Sequence, residues 1–488
     1  MAQKSIKKNY LYNLSYQILT LLIPLITTPY LSRVLGAKGI GVCSYIESIS
    51  VYFVLFATLG LTSFGQREIS YVQDDRKKRS IVFWETCIIQ LISSIICIFA
   101  YVLFSLYQED SLLFLVLVIN LFSVVANITW LFQGMEEFGR IVLRNIIFKL
   151  IGLIYIFIFV TEKNDVILYL LGVALFSFLN NLSYWSLVPK FVDKPNIKEL
   201  NPYRHLKTVF SLFLPTVAIS IYTVLDKTMI GVITGDPFEN GYYEQATKLS
   251  RVALTVVTSL GVVVVPRIGH YFSKSDYEAI KNSIYRSYRF VWFLGIPLAL
   301  GLFVVSDNVV PWFYGKGFDN VIPLLHILCF LVLAIGINNV TGIQYLIPTK
   351  RQNTFSFTVI AGATCNFLLN LILINKYQSF GAAIAYLMAE TIIALLQLYI
   401  VRKELSFIKI LKSGVNYYIA GTIMFIIVLL IRERFTPSMI NTMYLVLIGV
   451  SSYLICLLIL NDKYLISAIN TVITKAKKIS KQDVFPQK

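Results

Sequence analysis

Charge is scarce in this chain. Only 14% of its 488 residues are Asp, Glu, Lys or Arg, against 57% hydrophobic residues, whereas a soluble domain carries about a quarter charged residues. That balance excludes an ordinary water-soluble globule. There are three histidines, His205, His270 and His326, too far apart in sequence to form a ligand motif. The six cysteines, Cys43, Cys87, Cys97, Cys329, Cys365 and Cys456, all fall in apolar runs without paired spacing. No zinc or redox motif is written there, and they read as small buried hydrophobes. Phosphate loops and nucleophile elbows are missing too. GAKGIG at Gly36–Gly41 has the glycines of a phosphate loop, but it joins two apolar runs rather than a strand to a helix. Neither an enzyme nor a bound cofactor or metal is expected.

Apolar length stands in their place. Mean hydropathy is +0.71. Apolar runs predict about fourteen helices, at roughly 11–33, 41–65, 81–105, 111–133, 141–160, 165–189, 208–233, 241–265, 286–306, 321–347, 353–375, 380–401, 414–431 and 440–461, each near bilayer length. The fold class expected is an all-α polytopic membrane protein. Lys4, Lys7 and Lys8 before the first run mimic a signal peptide. The run from Leu11 to Tyr30 is long, however, and lacks a small-x-small cleavage site, so it reads as a retained first span. The net charge of +17 is dispersed among connections rather than gathered on one face, so nucleic acid is not an expected partner. Arg33, Lys38, Lys163, Lys316, Lys376, Arg432 and Arg434 fall on one side of the predicted membrane, and Lys227, Lys248 and Arg251 within spans. The rest of the 43 basic residues share the side of the N-terminus, which puts both termini in the cytoplasm. Connections on the outer side are short. The inner stretches Phe272–Phe290 and Lys463–Lys481 mix apolar and basic residues, and either lie along the anionic leaflet or are solvated.

Two parts of the chain echo each other in order. Pro24 in LLIPLITT answers Pro215 in LFLPTVAI, and Gly41–Tyr45 answers Gly241–Tyr242. Leu59-Gly60 before Arg67 answers Leu260-Gly261 before Arg267, and Gln133 in WLFQGMEEFGR answers Gln344 in GIQYLIPTKRQ. An even number of predicted spans separates the copies, so both run in the same sense across the membrane, a parallel repeat with substrate between the halves. The organisation expected is a six-helix lobe over 1–200, a second over 201–405, a central cavity, and a final helix pair with a basic tail over 406–488. Pro24 and Pro215 are hinge candidates, because proline removes a donor and bends a helix. The alternative is a proline tolerated in a packed membrane helix.

The span pair from Leu206 to about His270 places five ionisable side chains where charge costs most: Asp226, Lys227, Glu244, Lys248 and Arg251. At membrane depth a charge costs about 3 kcal/mol even on the lenient insertion scale, so these groups should face a bundle interior or watery cavity. Glu244, Lys248 and Arg251 share one helical face, with Glu244 in reach of Lys248. Arg251, roughly 15 Å deep at ~1.5 Å per residue, is either an anion-binding residue or the salt-bridge partner of Asp226 or Glu390. Adjacent Asp226 and Lys227 cannot face the same way. Arg33 and Arg67 either snorkel to headgroups or line a cavity. Glu47, Asp226, Glu244 and Glu390 are candidates for ion coupling or charge pairing. Asn180, Asn181, Asn338, Asn339, Asn366 and Asn370 are interhelical glue or ligands.

The run NLSYQILTLLIPLITTPYLSRVLGAKGIGVCSYIESISVYF, with GLTSFGQREIS, WLFQGMEEF and LDKTMIG, resembles the polysaccharide-unit (Wzx-type) flippases of the multidrug/oligosaccharidyl-lipid/polysaccharide exporter superfamily. The resemblance extends over nearly the whole chain. It implies two lobes around a central cavity that move undecaprenyl-diphosphate-linked oligosaccharide to the outer leaflet of the bacterial cytoplasmic membrane by alternating access. The product would be O antigen, capsule or exopolysaccharide, and other polysaccharide assembly proteins are implied partners. Basic lumen residues would receive the diphosphate. By position these are Arg33, Arg67, Lys248 and Arg251, with Asp226 and Lys227 matching the seventh-span motif. A cation-coupled drug exporter of the same superfamily would normally carry an acid in the first span, and Tyr10–Leu35 has none. A membrane polysaccharide polymerase or glycosyltransferase would need a long external loop.

Overall fold

The computed structural model describes residues 6–467, 469, 470 and 474, with side chains from 20 onward apart from 21, 214–216, 218–223 and 262. The side chain of Pro215, and Val472, Ile473, Ala476 and Ile479 of the basic tail, lie outside the described residues. In chain order α1 is Ile6–Thr58, α2 Leu61–Tyr71, α3 Arg76–Leu106, α4 Ser111–Val116, α5 Val118–Ala126, α6 Thr129–Gly134, α7 Phe138–Phe159, α8 Val166–Ser183 and α9 Val188–Phe191. Then come α10 Leu206–Thr234, α11 Pro237–Thr258, α12 Gly261–Ser273, α13 Tyr277–Phe313, α14 Val321–Leu328 and α15 Leu331–Asn338. A π-helical turn, Asn339–Leu346, precedes α16 Gln352–Ile400, followed by α17 Phe407–Lys412, α18 Val415–Arg432 and α19 Met439–Ile459.

Among the described residues, 11 helical stretches are long and apolar enough to cross a membrane. α1 and α16, 53 and 49 residues long, each turn at one non-helical residue, Gly36 (φ 68°) and Gln378 (φ 52°). Each therefore has the length for two crossings. With the 29-residue α10, the series is consistent with the fourteen spans read from the sequence. Glycine suits the break in α1, since an L side chain is strained at positive φ. Pro24 and Pro29 lie inside the arm before it, and the break falls at Gly36 rather than at either proline.

The third span has an apolar outer face and carries its polar groups inside. On α3, Ile92, Ile95, Ile96, Phe99 and Leu103 are exposed, while Glu85, Gln90, Ser93, Ser94 and Ser105 are buried. Two of the buried groups satisfy backbone: Ser93 Oγ donates to Ala57 O at 2.6 Å, and Gln90 Nε2 to Asn127 O at 2.9 Å. That distribution suits a hydrocarbon solvent, where polar atoms must pair internally.

The chain forms two compact units. The first comprises Met1–Glu244, Tyr314–Gly317 and Ala363–Ala382. Phe83, Trp130 and Trp185 cluster in its core, next to Phe132, Tyr184 and Phe191. Buried Glu85 fastens the connection before α10 to α3, accepting from Asn201 N at 2.7 Å and Arg204 Nη2 at 2.6 Å, with His205 Nε2 2.7 Å away. The second unit comprises Gln245–Phe313, Phe318–Gly362 and Ala383–Lys488. Its core joins Tyr288, Trp292 and Ile296 of α13 to Tyr417 and Met424 of α18 and Tyr453 of α19.

The repeat is visible inside each unit taken alone. In the first, α2 packs on α6; in the second, α12 packs on the π-helical turn. Both fourth spans then end alike, with Glu136 and Lys350 at positive φ. Glu137 N donates to Phe132 O at 2.8 Å, and Arg351 N to Leu346 O at 2.9 Å, the reach-back bond that closes a helix C-terminus. These bonds make Ile347 the geometric counterpart of Gln133. The Gln133–Gln344 echo is therefore one turn out of register.

Candidate functional site

Gly235, at φ 63°, ends α10, and the start of α11, from Pro237 to Glu244, returns beside it. That turn brings the charges of the two helices together. Asp226 and Lys227 diverge, as neighbours on a helix must. Asp226 is buried, where Tyr243 Oη donates to Oδ2 at 2.5 Å and Asn370 Nδ2 to Oδ1 at 2.6 Å. Asn370 also donates to Asn366 Oδ1 at 3.1 Å. Lys227 pairs with Glu244, their side chains 16% and 12% exposed. Ser44 Oγ donates to the same Glu244 oxygen at 3.1 Å.

The arm of α1 after Gly36 lines this cluster. Its Ser48 and Tyr52 hydroxyls lie 2.9 and 3.1 Å from Thr228 Oγ1, so Ser44, Ser48 and Tyr52 form a stripe at four-residue spacing. Glu47 is half-buried on the same arm, near Tyr169. Two glycines let the backbones meet. A Cβ on Gly41 would overlap the Pro237 carbonyl and stand 2.8 Å from Gly241 N; one on Gly241 would overlap the carbonyl of Ala37. Close by, Glu239 is buried and accepts from Ser379 N at 3.0 Å, capping the helix that resumes after Gln378.

Other expected residues stand elsewhere. The stem of exposed Arg33 rests on Gly315, and Arg67 pairs with Glu68 at 2.8 Å. Exposed Pro24 lines a 480 Å³ cavity in the first unit with Thr20, Asn145, Lys149 and Asn180. In the second unit Lys248 is half-buried, and Glu390 accepts from Asn338 Nδ2 at 2.5 Å. Arg251 is exposed and makes no ion pair among the described residues.

Residues 6–272, more than half of the chain and all of α1–α11, match the polysaccharide biosynthesis protein family. The chain belongs to that family. The match takes in Asp226, Lys227, Glu244, Lys248 and Arg251. A relative from Escherichia coli K12 named putative O-antigen transporter is 25% identical over 406 residues, spanning 82% of this chain and 97% of its own. The fold is that of a lipid II flippase, MurJ, in an inward closed conformation (TM-score 0.70, 18% identity, 92% of this chain and 98% of that one). It is shared with an inward-facing multidrug resistance transporter of the MATE family (TM-score 0.61, 13% identity, 80% and 98%). These relatives are named as transporters and flippases, not catalysts. With 11 described helical stretches long and apolar enough to cross a bilayer, the protein is a multi-pass membrane protein of the polysaccharide biosynthesis family.

Proposed function

We propose that the protein moves undecaprenyl-diphosphate-linked oligosaccharide repeat units from the inner to the outer leaflet of the bacterial cytoplasmic membrane, by alternating access, with both termini cytoplasmic. Arg251 carries this reading. It sits near the middle of the 37-residue stretch Pro237–Ser273, and it is exposed and makes no ion pair among the described residues, in a family of polysaccharide biosynthesis proteins. In hydrocarbon an unpaired guanidinium costs about 3 kcal/mol or more, so it faces water. A hydrated, cationic path suits a diphosphate joined to a sugar chain, which would lose its water hydrogen bonds in lipid, while the isoprenoid tail stays in the bilayer. Arg33, Arg67, Lys227 and Lys248 serve the same anion in this reading. An interior-negative potential assists outward passage by about 2.3 kcal/mol per charge per 100 mV.

The test is the sidedness of lipid-linked oligosaccharide in vesicles containing the native protein, Arg251→Ala or Arg251→Lys. Outer-face appearance is expected to slow about tenfold or more in Arg251→Ala, the loss of one charge-assisted contact, with partial recovery in Arg251→Lys. Native-rate flipping by Arg251→Ala would remove Arg251 from the path. Absence of flipping by the native protein would sink the whole reading.

Coupling to an inward proton or sodium ion through Asp226, Glu47, Glu244 or Glu390 is the accompanying proposal. Flipping should accelerate under an imposed ion gradient with the potential clamped at zero. No response to either ion would remove the coupling.

A further inference from the structure

In the second unit, the end of α12, the start of α13, the end of the π-helical turn and both ends of α16 meet around one pocket. A cavity of about 410 Å³ opens there, lined by apolar Phe272, Tyr277 and Ile280 and by the cations Lys281, Arg351 and Lys403. Because span ends surround it, the pocket lies at a membrane–water boundary. The distribution of basic residues assigns that boundary to the cytoplasmic face.

Glu404 is the acid of the pocket, and its charge is already matched. Arg351 grips it fork to fork, Nη1 to Oε1 and Nη2 to Oε2 both at 2.8 Å, and Tyr345 Oη donates to the same carboxylate. Burial works against the charged form, but these donors outweigh it and hold the carboxyl below the ordinary range. Arg351 is therefore a fixed wall, and two cations remain over. Lys281 reaches Glu278 only at 3.6 Å, and that carboxylate is 80% exposed, a contact of little strength. Lys403 is exposed and has no ion pair among the described residues.

We propose that this pocket binds a phosphoryl anion, the headgroup phosphate of an acidic phospholipid or free phosphate, with Lys281 and Lys403 as its charged donors. Phe272, Tyr277 and Ile280 give it the apolar side that a molecule at the headgroup–acyl boundary presents. Two flexible ammonium groups over an apolar floor suit a phosphate as point charges, without the planar fork that Arg351 has committed to Glu404.

Thermal unfolding of the purified full-length protein in detergent, with phosphatidylglycerol, phosphatidylcholine or inorganic phosphate titrated in, tests the site. Saturable stabilisation by phosphatidylglycerol is expected, with apparent affinity about tenfold weaker or more in K281Q/K403Q and retained in K281R/K403R. The same pattern produced by inorganic phosphate alone would assign the site to the free anion. Equal responses of the native protein and K281Q/K403Q to every additive would overturn the proposal, and the unfolding temperatures without additive show whether both are folded.

Discussion

Replacing Gly41 with valine is expected to abolish transport while leaving a folded protein in the membrane. The Cβ would collide with the Pro237 carbonyl, and Gly241 N would stand 2.8 Å from it. Overpacking usually costs about 1–3 kcal/mol, because neighbouring side chains give way. Here the neighbours are backbone and cannot swing aside, so the α1 arm and α11 must separate. A bias of about 5.5 kcal/mol converts a 99:1 preference between two conformers into its reverse, and a backbone collision can supply a large part of that. The contact lies at the Gly235–Asp236 turn, which the proposed orientation puts outside, where a transporter closed to that side needs a seal. Ser44→Cys in a cysteine-free background reports on it. Combined with Gly41→Val, it should gain reactivity toward a membrane-impermeant thiol reagent applied from outside, while flipping stops. Gly241→Val should act alike through Ala37. Unchanged labelling with native flipping would mean that the contact is no seal.

Much of the fold was legible because a bilayer imposes a length on every span and a sign bias on every connection. What hydropathy measures, though, is partition rather than helix continuity. The fourth span reads as one run over 111–133, yet it is three short helices, interrupted at Leu117 and at Asn127-Ile128. The second span reads through Leu59-Gly60, where the chain takes two successive positive-φ residues and starts a new helix. Gln378 breaks α16 without a glycine or proline to announce it. The repeat was readable as motifs in order, but its register at Gln133 needed the backbone bonds that end the two fourth spans.

The site divides in the same way. Asp226, Lys227 and Glu244 were conspicuous because ionisable groups in apolar spans are expensive and few. Of their partners, Asn370 was named only as one of several asparagines that are glue or ligands, and Ser44 and Tyr243 were not named, since hydroxyls and amides are common in membrane helices and Asn370 lies 144 residues from Asp226. The spacing of Ser44, Ser48 and Tyr52 was an available signal for the face of α1 that meets α10 and α11.

The Lys227–Glu244 pair gives the second large effect, and a double-mutant cycle separates its two roles. With both side chains less than a fifth exposed, removing one partner leaves the other charge largely out of water with less compensation, at a cost that approaches the about 3–5 kcal/mol of breaking a fully buried pair. Lys227→Met and Glu244→Gln should each lower the unfolding temperature by many degrees. The double variant should recover most of the loss, because replacing a whole buried pair by neutral groups is often close to neutral. Transport then discriminates. If the pair is only a clamp between α10 and α11, the stable double variant flips at the native rate. If Lys227 leaves Glu244 to meet the diphosphate during the cycle, the double variant is stable and inactive. The proposed cationic path predicts the second outcome. It also predicts that Glu244→Gln alone, with its lysine released toward the substrate, binds the lipid-linked anion more tightly and turns over more slowly.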